Sequence, residues 1–502
     1  MKRQLRRVLA CLTLCALLAG GLTVPASAAF QDVPAGHWAA ESIARCVELG
    51  LFNGESASQF GVGHEMTRSS FTVVLCRVFG WETPAPAQAV YQDVPANAWY
   101  AGAVQAAYDH GALTAQREEF RPGDPVTREE IAVMLVRALG YGALAGLVQD
   151  LPAPFQDVTT NAGYIAMACD LGLMEGTSPT AFSPEKTAPR EEVAVILMRL
   201  YDRLHSAAPG RVGIASSAEG LADLTGFDAV AVSAGKLISA GKTQITPTMD
   251  AETAAAIQAA AKQAGAKTLL YVTGGSTALN GSPSGTASVL AAAVESGGYD
   301  GVFLDIPKLK NDKRYALVKL MKALRPAMKD KPVYLMVEAP VWQGTAYKGY
   351  DYAALEPYAD RLVVRGAAYE KGGKDFSTAP IDPLEEVYYA LDTLQDLVDS
   401  GKLSLLISTS GSAWTSGRKT GTPSGAEVEA LLAEETTAAY YSDRYACAYL
   451  SGVNEDNKPL AVWYLDRRAV EERRQLAACF GVDQVCLAEL ENLPAEMLAG
   501  LQ

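Results

Sequence analysis

The chain has 502 residues, 49% of them hydrophobic and 20% charged, with a formal net charge of −14 at pH 7. That length calls for two or more packed units, and the composition excludes a disordered or collagen-like chain. The negative balance argues against a nucleic-acid partner, whose phosphates would repel it.

In chain order, Lys2, Arg3, Arg6 and Arg7 precede an apolar run from Val8 to Val24, and Ala26-Ser27-Ala28 supplies the small residues of a cleavage site. Residues 1–28 are therefore expected to be a secretory signal peptide. Its removal takes four cations and no acid, deepening the charge from −14 to −18. No later run reaches about 18 uninterrupted apolar residues, so no membrane span is expected after cleavage. The six remaining cysteines form no CxxC pair and read as buried apolar fillers. All four histidines precede residue 210, so no His-based catalyst or His-bound zinc is expected in the C-terminal half. No cofactor and no metal ion is expected.

Three segments then recur in register: FQDVPAGHWAAESIARCVELGLFNG (30–54), YQDVPANAWYAGAVQAAYDHGALTA (91–115) and FQDVTTNAGYIAMACDLGLMEG (155–176). Each leads to an aromatic, a turn and a helix start. The spacing from Phe60 to Thr67, Phe120 to Thr127 and Phe182 to Pro189 is seven residues every time. Apolar residues at helical spacing, such as Ile131, Met134, Leu135 and Ala138, predict two amphipathic helices per copy. Thr127 and Glu130 predict a capping box at the start of the second helix of copy two. Pro-rich residues 82–89 separate copies one and two, and residues 206–210 end the array.

These residues resemble S-layer homology (SLH) domains, whose marks are FxDVP, a Trp at the ninth position and a TRxE helix start. The resemblance predicts an all-α module of three SLH domains, 30–81, 90–141 and 155–204. It implies noncovalent docking onto a pyruvylated secondary cell wall polymer and a place at the bacterial cell wall or S-layer surface. Carried over by position, Arg68, Arg128 and Arg190 would hold the polymer's carboxylate or ketal, a role that suits planar guanidinium groups beside helix-start N–H groups. Trp38 and Trp99 would flank the grooves. The residues themselves leave alternatives: core packing, placed ahead of groove-flanking for the tryptophans, and solvated first-turn charge, placed behind binding for the arginines. Arg128 is expected to be the strongest contact, because copy two alone keeps Trp99 together with Thr127-Arg128-Glu129-Glu130. Copy three has Gly163 in the Trp register and Pro189 in place of Thr, which sets its groove apart.

From Arg211 onward, short β-rich runs alternate with Ala- and Leu-rich helical stretches. Strands are predicted at 211–215, 229–233, 268–272, 301–305, 333–337, 361–365, 403–408 and 484–488, with Asp250 capping one of the intervening helices. Eight β-then-α units predict an α/β TIM (β/α)8 barrel over residues 211–500, its active face at the C-terminal ends of the strands.

Residues 350–364, 379–391 and 462–490 resemble segments of chitinase-like family 18 glycoside hydrolases. The strand-four signature of that family is DGxDxDxE, and Asp300-Gly301-Val302-Phe303-Leu304-Asp305-Ile306-Pro307 occupies it. Alternation along a strand puts positions 303, 305 and 307 on one inward face. In the family's chemistry the glutamate protonates the leaving oxygen while the adjacent aspartate orients the substrate's acetamido group. Pro307 has no proton to give, Phe303 removes the lower aspartate, and Ala488 stands where the family often has a Trp floor.

The resemblance thus implies a barrel that has lost this chemistry and serves glycan binding or scaffolding. If it is active, the candidate acids are Asp305, Glu338 and Glu489; the alternative for Asp305 and Glu338 is a hydrogen-bonded remnant or an ion pair with Arg365. Asp300, Trp342, Tyr369 and Trp414 complete the candidate cleft, the aromatics either stacking on sugar faces or covering the barrel. Two rivals stand beside a wall-anchored protein with an inactive barrel: a glycosidase acting on peptidoglycan or chitin-like glycans, and a structural S-layer subunit.

Overall fold

The computed structural model describes residues 30–114, 119–149, 155–205, 209–240, 242–342, 346–367, 378–494 and 497. The expected signal peptide, residues 1–28, lies outside the described residues. The chain divides into two compact units, Met1–Ser206 and Ala207–Gln502.

In the first unit the helices are α1 (Ala40–Glu48), α2 (Arg68–Phe79), α3 (Ala101–Asp109), α4 (Arg128–Ala138), α5 (Gly142–Val148), α6 (Ala162–Asp170) and α7 (Arg190–Leu204). The three copies supply the pairs α1–α2, α3–α4 and α6–α7. Thr67 caps α2 by accepting from the Ser70 N–H, and Thr127 with Glu130 forms the predicted capping box on α4. Pro189, before α7, offers no side-chain cap.

Just ahead of these helices the copies bond to one another in a closed ring. Met66 N–H donates to Ala188 O at 3.2 Å, Val126 N–H to Met66 O at 2.8 Å, and Ala188 N–H to Val126 O at 3.1 Å. An outer ring runs in the opposite sense: the N–H groups of Arg68, Arg128 and Arg190 reach the carbonyls of Asp124, Lys186 and His64 at 2.9, 2.9 and 3.0 Å. Bridges at Glu65–Pro189, Thr67–Pro125 and Thr127–Thr187 mark this hub. The regular elements described in this module are helices, set around isolated β-bridges at the centre. Backbone groups at the hub precede their helices, have no intrahelical partner, and find one across copies.

The FxD aspartates hold the turns. Asp32 accepts from the N–H groups of Phe60, Gly61 and Val62 at 2.8, 2.7 and 2.9 Å. Asp93 does the same for Phe120 and Arg121, and Asp157 for Phe182 and Ser183. Desolvation pushes the Asp32 carboxyl up, but the bonds from Phe60, Val62 and Gly61 outweigh it and hold the pKa at about 2.

The missing Trp of copy three has a steric cause. A Cβ on Gly163 would lie 1.8 Å from the Ala145 carbonyl oxygen of α5, so only glycine lets α5 and α6 approach this closely.

The second unit contains β1 (Gly210–Ala215), β2 (Ala229–Ala240), β3 (Lys242–Pro247), α8 (Ala251–Gln263), β4 (Lys267–Gly274), α9 (Pro283–Ser296), β5 (Gly301–Asp305), α10 (Arg314–Met328), β6 (Val333–Glu338), α11 (Tyr352–Leu355), β7 (Arg361–Arg365), α12 (Leu384–Gln395) and β8 (Leu403–Ile407). After these come β9 (Ser412–Thr415), β10 (Arg418–Gly421), α13 (Gly425–Leu432), β11 (Ala438–Ser442), β12 (Cys447–Val453), β13 (Pro459–Tyr464), α14 (Arg467–Cys479) and β14 (Gln484–Leu487). Parallel strands β1, β2, β4, β5, β6, β7, β8 and β14 pair in that order, and β14 closes onto β1. All eight predicted strands are present in this closed barrel. Inward side chains from seven of these strands, among them Val212, Leu269, Tyr271, Phe303, Met336, Val363 and Cys486, fill it.

Two elements were not expected from sequence. Strand β3 runs antiparallel on β2, and a separate antiparallel sheet, β10-β9-β13-β12-β11, is inserted between β8 and α14. Trp414 lies in that inserted sheet and is buried.

Gly163→Ala should lower the melting temperature of the first unit by about 5 °C or more, the scale of overpacking against backbone. Gly146→Ala, in α5 with open space around it, should be neutral or stabilising. In acid, the depressed pKa of Asp32 contributes stability that is complete above about pH 4 and lost as pH falls through about 2. Asp32→Asn should remove that step from the pH dependence of thermal unfolding.

Candidate functional sites

In the first unit each helix-start arginine reaches into the neighbouring copy. Arg68 Nε donates to Phe120 O at 2.8 Å, its guanidinium lies 5.0 Å from the Phe120 ring centre, and Glu130 pairs with it at 2.7 Å. Arg128 repeats this with Phe182 O at 3.0 Å, the Phe182 ring at 4.6 Å, and Glu192 as its ion-pair partner. Arg190 returns to copy one, with Phe60 O at 2.9 Å and the Phe60 ring at 5.1 Å.

Ser70 stands where copies two and three have Glu130 and Glu192. Arg190 therefore faces a carboxylate only at 3.9 Å, that of Glu55, which is also held by His64 at 2.9 Å. Burial lowers the Arg190 pKa. The three arginine side chains are 12%, 5% and 13% exposed, so they are not solvated surface charges. Trp38 and Trp99 are 64% and 70% exposed, which overturns the core-packing expectation. Each precedes its helix, α1 or α3, where no second layer covers it.

At the barrel mouth the ends of β5, β6 and β7 meet. Arg365, the last residue of β7, pairs with Asp305 at the end of β5 and, at 3.0 Å, with Glu338 at the end of β6. Tyr271 donates to Asp305 Oδ2 at 2.6 Å, and the Lys308 N–H to Glu338 Oε1 at 3.2 Å. Asp305 Oδ1 is buried with no partner among the described residues. Burial alone would lower the Arg365 pKa, but Asp305 and then Glu338 outweigh it and raise it. Phe303, one layer below, is a core aromatic packed edge-on against Tyr271 at 5.1 Å.

Beside this ion triad lies a cavity of about 400 Å³, lined by Tyr271, Met336, Arg365, Asp382, Ser408, Ser410, Ala488, Glu489 and neighbours. Glu489 accepts from the Ser410 hydroxyl at 2.9 Å. Asp382, which sequence reasoning did not single out, sits at φ 43 in the loop before α12. Its carbonyl is held by buried Arg473, which also donates to Ala446 O and Ala469 O. A Cβ on Gly366 would come within 2.3 Å of Asp382 Oδ1, so glycine there makes room for the carboxylate. Burial pushes Asp382 up to about 6, against Arg473 and Arg365, and pushes Glu385 on α12 up to about 7.

Other expected cleft residues fall elsewhere. Asp300 precedes β5 at the opposite end of the barrel, where it accepts from the N–H and hydroxyl of Thr268 at 2.8 and 3.0 Å; it is not a cleft residue. Trp414 is buried in the inserted sheet with its indole N–H on Ser412, and presents no face to a sugar. Trp342, half-buried after β6, donates its backbone N–H to Glu386 at 2.8 Å. Tyr369 lies outside the described residues.

Comparisons with known proteins agree with both halves. Residues 29–72 and 90–132 match the family "S-layer homology domain". Over 190 residues the chain is 30% identical to an endoglucanase of Bacillus sp. (strain KSM-635), covering 35% of this chain and 19% of that protein. It is 28% identical to an S-layer protein of Bacillus thuringiensis subsp. finitimus, covering 37% and 23%, and 29% identical to S-layer protein EA1 of Bacillus anthracis, covering 36% and 21%. The chain thus spans about a fifth of the length of these relatives.

Among solved structures, a class V chitinase from Pseudomonas fluorescens Pf-5 superposes with a TM-score of 0.52 at 19% identity, covering 59% of this chain and 99% of that one. A chitinase from Chromobacterium violaceum gives 0.51 at 18%, covering 59% and 98%. The spore cortex-lytic enzyme SleL of Bacillus cereus gives 0.50 at 14%, covering 58% and 73%. The chain carries S-layer homology domains followed by a barrel of chitinase-like fold, and it is a secreted protein of the cell wall or cell surface.

Removing Arg365 would leave Asp305 and Glu338 buried and uncompensated. Arg365→Leu should therefore destabilise the second unit by about 3 to 5 kcal/mol in urea unfolding, the usual cost of breaking a buried ion pair. The raised pKa values of Asp382 and Glu385 work in the other direction: their folded forms hold protons longer, so stability present at low pH is lost as pH rises from about 4 through about 7. Asp382→Asn with Glu385→Gln should flatten that decline.

Proposed function

We propose that the first unit docks the chain noncovalently onto an anionic, pyruvylated secondary cell wall polymer, and that the barrel binds glycan or acts as a scaffold without acetamido-assisted hydrolysis. The barrel half rests on one observation: Pro307 occupies the proton donor's register above Asp305, and Asp305 is already committed to Arg365 and Tyr271. A rival glycosidase using Asp305 or Glu338 would have to free carboxylates that share one guanidinium. Glu489 stands at the cavity rim without a described second acid in hydrogen-bond contact with it.

The docking half is supported by the three inter-copy grooves. Each sets a largely shielded arginine at a helix start, and copies one and two add an exposed Trp38 or Trp99 in the motif's ninth position. Completeness of the motif favours Arg128 as the main contact, whereas charge compensation favours Arg190, because Glu192 already neutralises Arg128. Residual charge decides binding of an anion, so Arg190 takes precedence in this reading.

The test is sedimentation of the full chain with purified walls that carry or lack the polymer. Pelleting should require the polymer. Arg190→Ala should weaken it about tenfold, as loss of a charge-assisted contact does, and Arg128→Ala by less. Equal pelleting with stripped walls would overturn the docking assignment.

A further inference from the structure

We propose that the cavity at the barrel mouth selects a cationic sugar, a hexosamine with a free amino group, over the neutral N-acetylated form. This rests on the glycan-binding reading above and goes beyond it in naming the ligand's charge.

The argument is a charge count around one cavity. Arg365 is its lining cation, yet that guanidinium is met by two carboxylates, Asp305 and Glu338, so the triad as a whole is negative. Asp382 adds a carboxylate to the wall. Arg473 lies behind it, with its donors spent on the carbonyls of Asp382, Ala446 and Ala469, and Lys419 also acts on it from β10. Glu489 adds another carboxylate whose described partner is a neutral hydroxyl, Ser410. Glu491 does not line the cavity but is bonded to Ser216, which does. Even with Arg473 and Lys419 counted, carboxylates outnumber cations.

Behind two of the lining residues, one carboxylate oxygen also lacks a donor. Tyr271 and Arg365 both line the cavity and both bind Asp305 through Oδ2, which leaves the buried Oδ1 with no partner among the described residues. A buried carboxylate oxygen left unbonded is costly, and native structures usually supply water or a ligand group in such places.

The remaining lining suits a sugar ring. Ser216, Ser233, Ser408 and Ser410 offer hydroxyls, while Met336 and Leu406 offer an apolar surface for C–H faces. The volume falls within the range of small-molecule sites. An ammonium group is attracted by the excess negative charge and brings three donors; an acetamido group brings one donor, no charge, and a carbonyl that the carboxylates repel.

The test is calorimetric titration of the full chain with glucosamine, N-acetylglucosamine and glucose, at a near-neutral pH where the amine is protonated. Glucosamine is expected to bind saturably and at least about tenfold more tightly than the other two, with Glu489→Gln and Asp382→Asn each weakening it about tenfold. N-acetylglucosamine binding as well as glucosamine would overturn the inference and leave the glycan-binding reading standing. Glucosamine binding unchanged in both variants would move the amine away from this cavity and overturn it too. Binding of none of the three would remove the glycan-binding reading itself, and the inference with it.

Discussion

Arg365 decides what the barrel mouth can do. One guanidinium at the end of β7 reaches across to β5 and β6 and takes up Asp305 and Glu338, the acids at the ends of those strands. A buried carboxylate pair without this cation would be left uncompensated, at a cost in stability. With the cation, both are compensated. The same residue forms one wall of the adjacent cavity, with Tyr271 fixed on Asp305 and Gly366 making room for Asp382 immediately after it. Below this layer Phe303 belongs to the apolar core of the barrel.

The first unit is built on a different constraint. Its three copies are closed into a ring by backbone bonds from Met66 to Ala188, Val126 to Met66 and Ala188 to Val126, so no copy completes its own hub. Each helix-start arginine then bonds to the turn of the next copy, and each FxD aspartate holds the turn that receives it. A groove therefore always belongs to two copies. The consequence is that a substitution in one copy alters a site counted to another: Ser70 in copy one, not any residue of copy three, leaves Arg190 with the weakest carboxylate compensation.

Much of this was legible in sequence because it depends on local signals. Eight β-rich runs fixed the barrel strands, and Thr127 with Glu130 announced a helix start that the structure contains. Alternation put Phe303, Asp305 and Pro307 on one face, and the resemblance supplied their register in the signature. Other features depend on through-space packing that no spacing encodes. The exposure of Trp38 and Trp99 follows from a missing second layer, and the pairing of Arg68 with Glu130 joins residues from different copies. Asp300 and Trp414 were misplaced because motif membership does not say which end of the barrel, or which sheet, a residue occupies. The five-stranded insert was missed because its Tyr449 and Trp463 pairing becomes apparent only once β12 and β13 align. Asp382 lay inside a resembling segment, 379–391, that singled out no residue, and its setting depends on Gly366 and Arg473.

The central claim is that the chitinase-like fold here has lost the acetamido-assisted proton transfer. The most direct measurement is release of reducing ends from N-acetylated chitin oligomers and from peptidoglycan by the full chain. The account predicts no release above that of a heat-denatured control. Release that is present in the wild type and abolished by Glu338→Gln or Glu489→Gln would contradict it and make the barrel a hydrolase with a relocated acid.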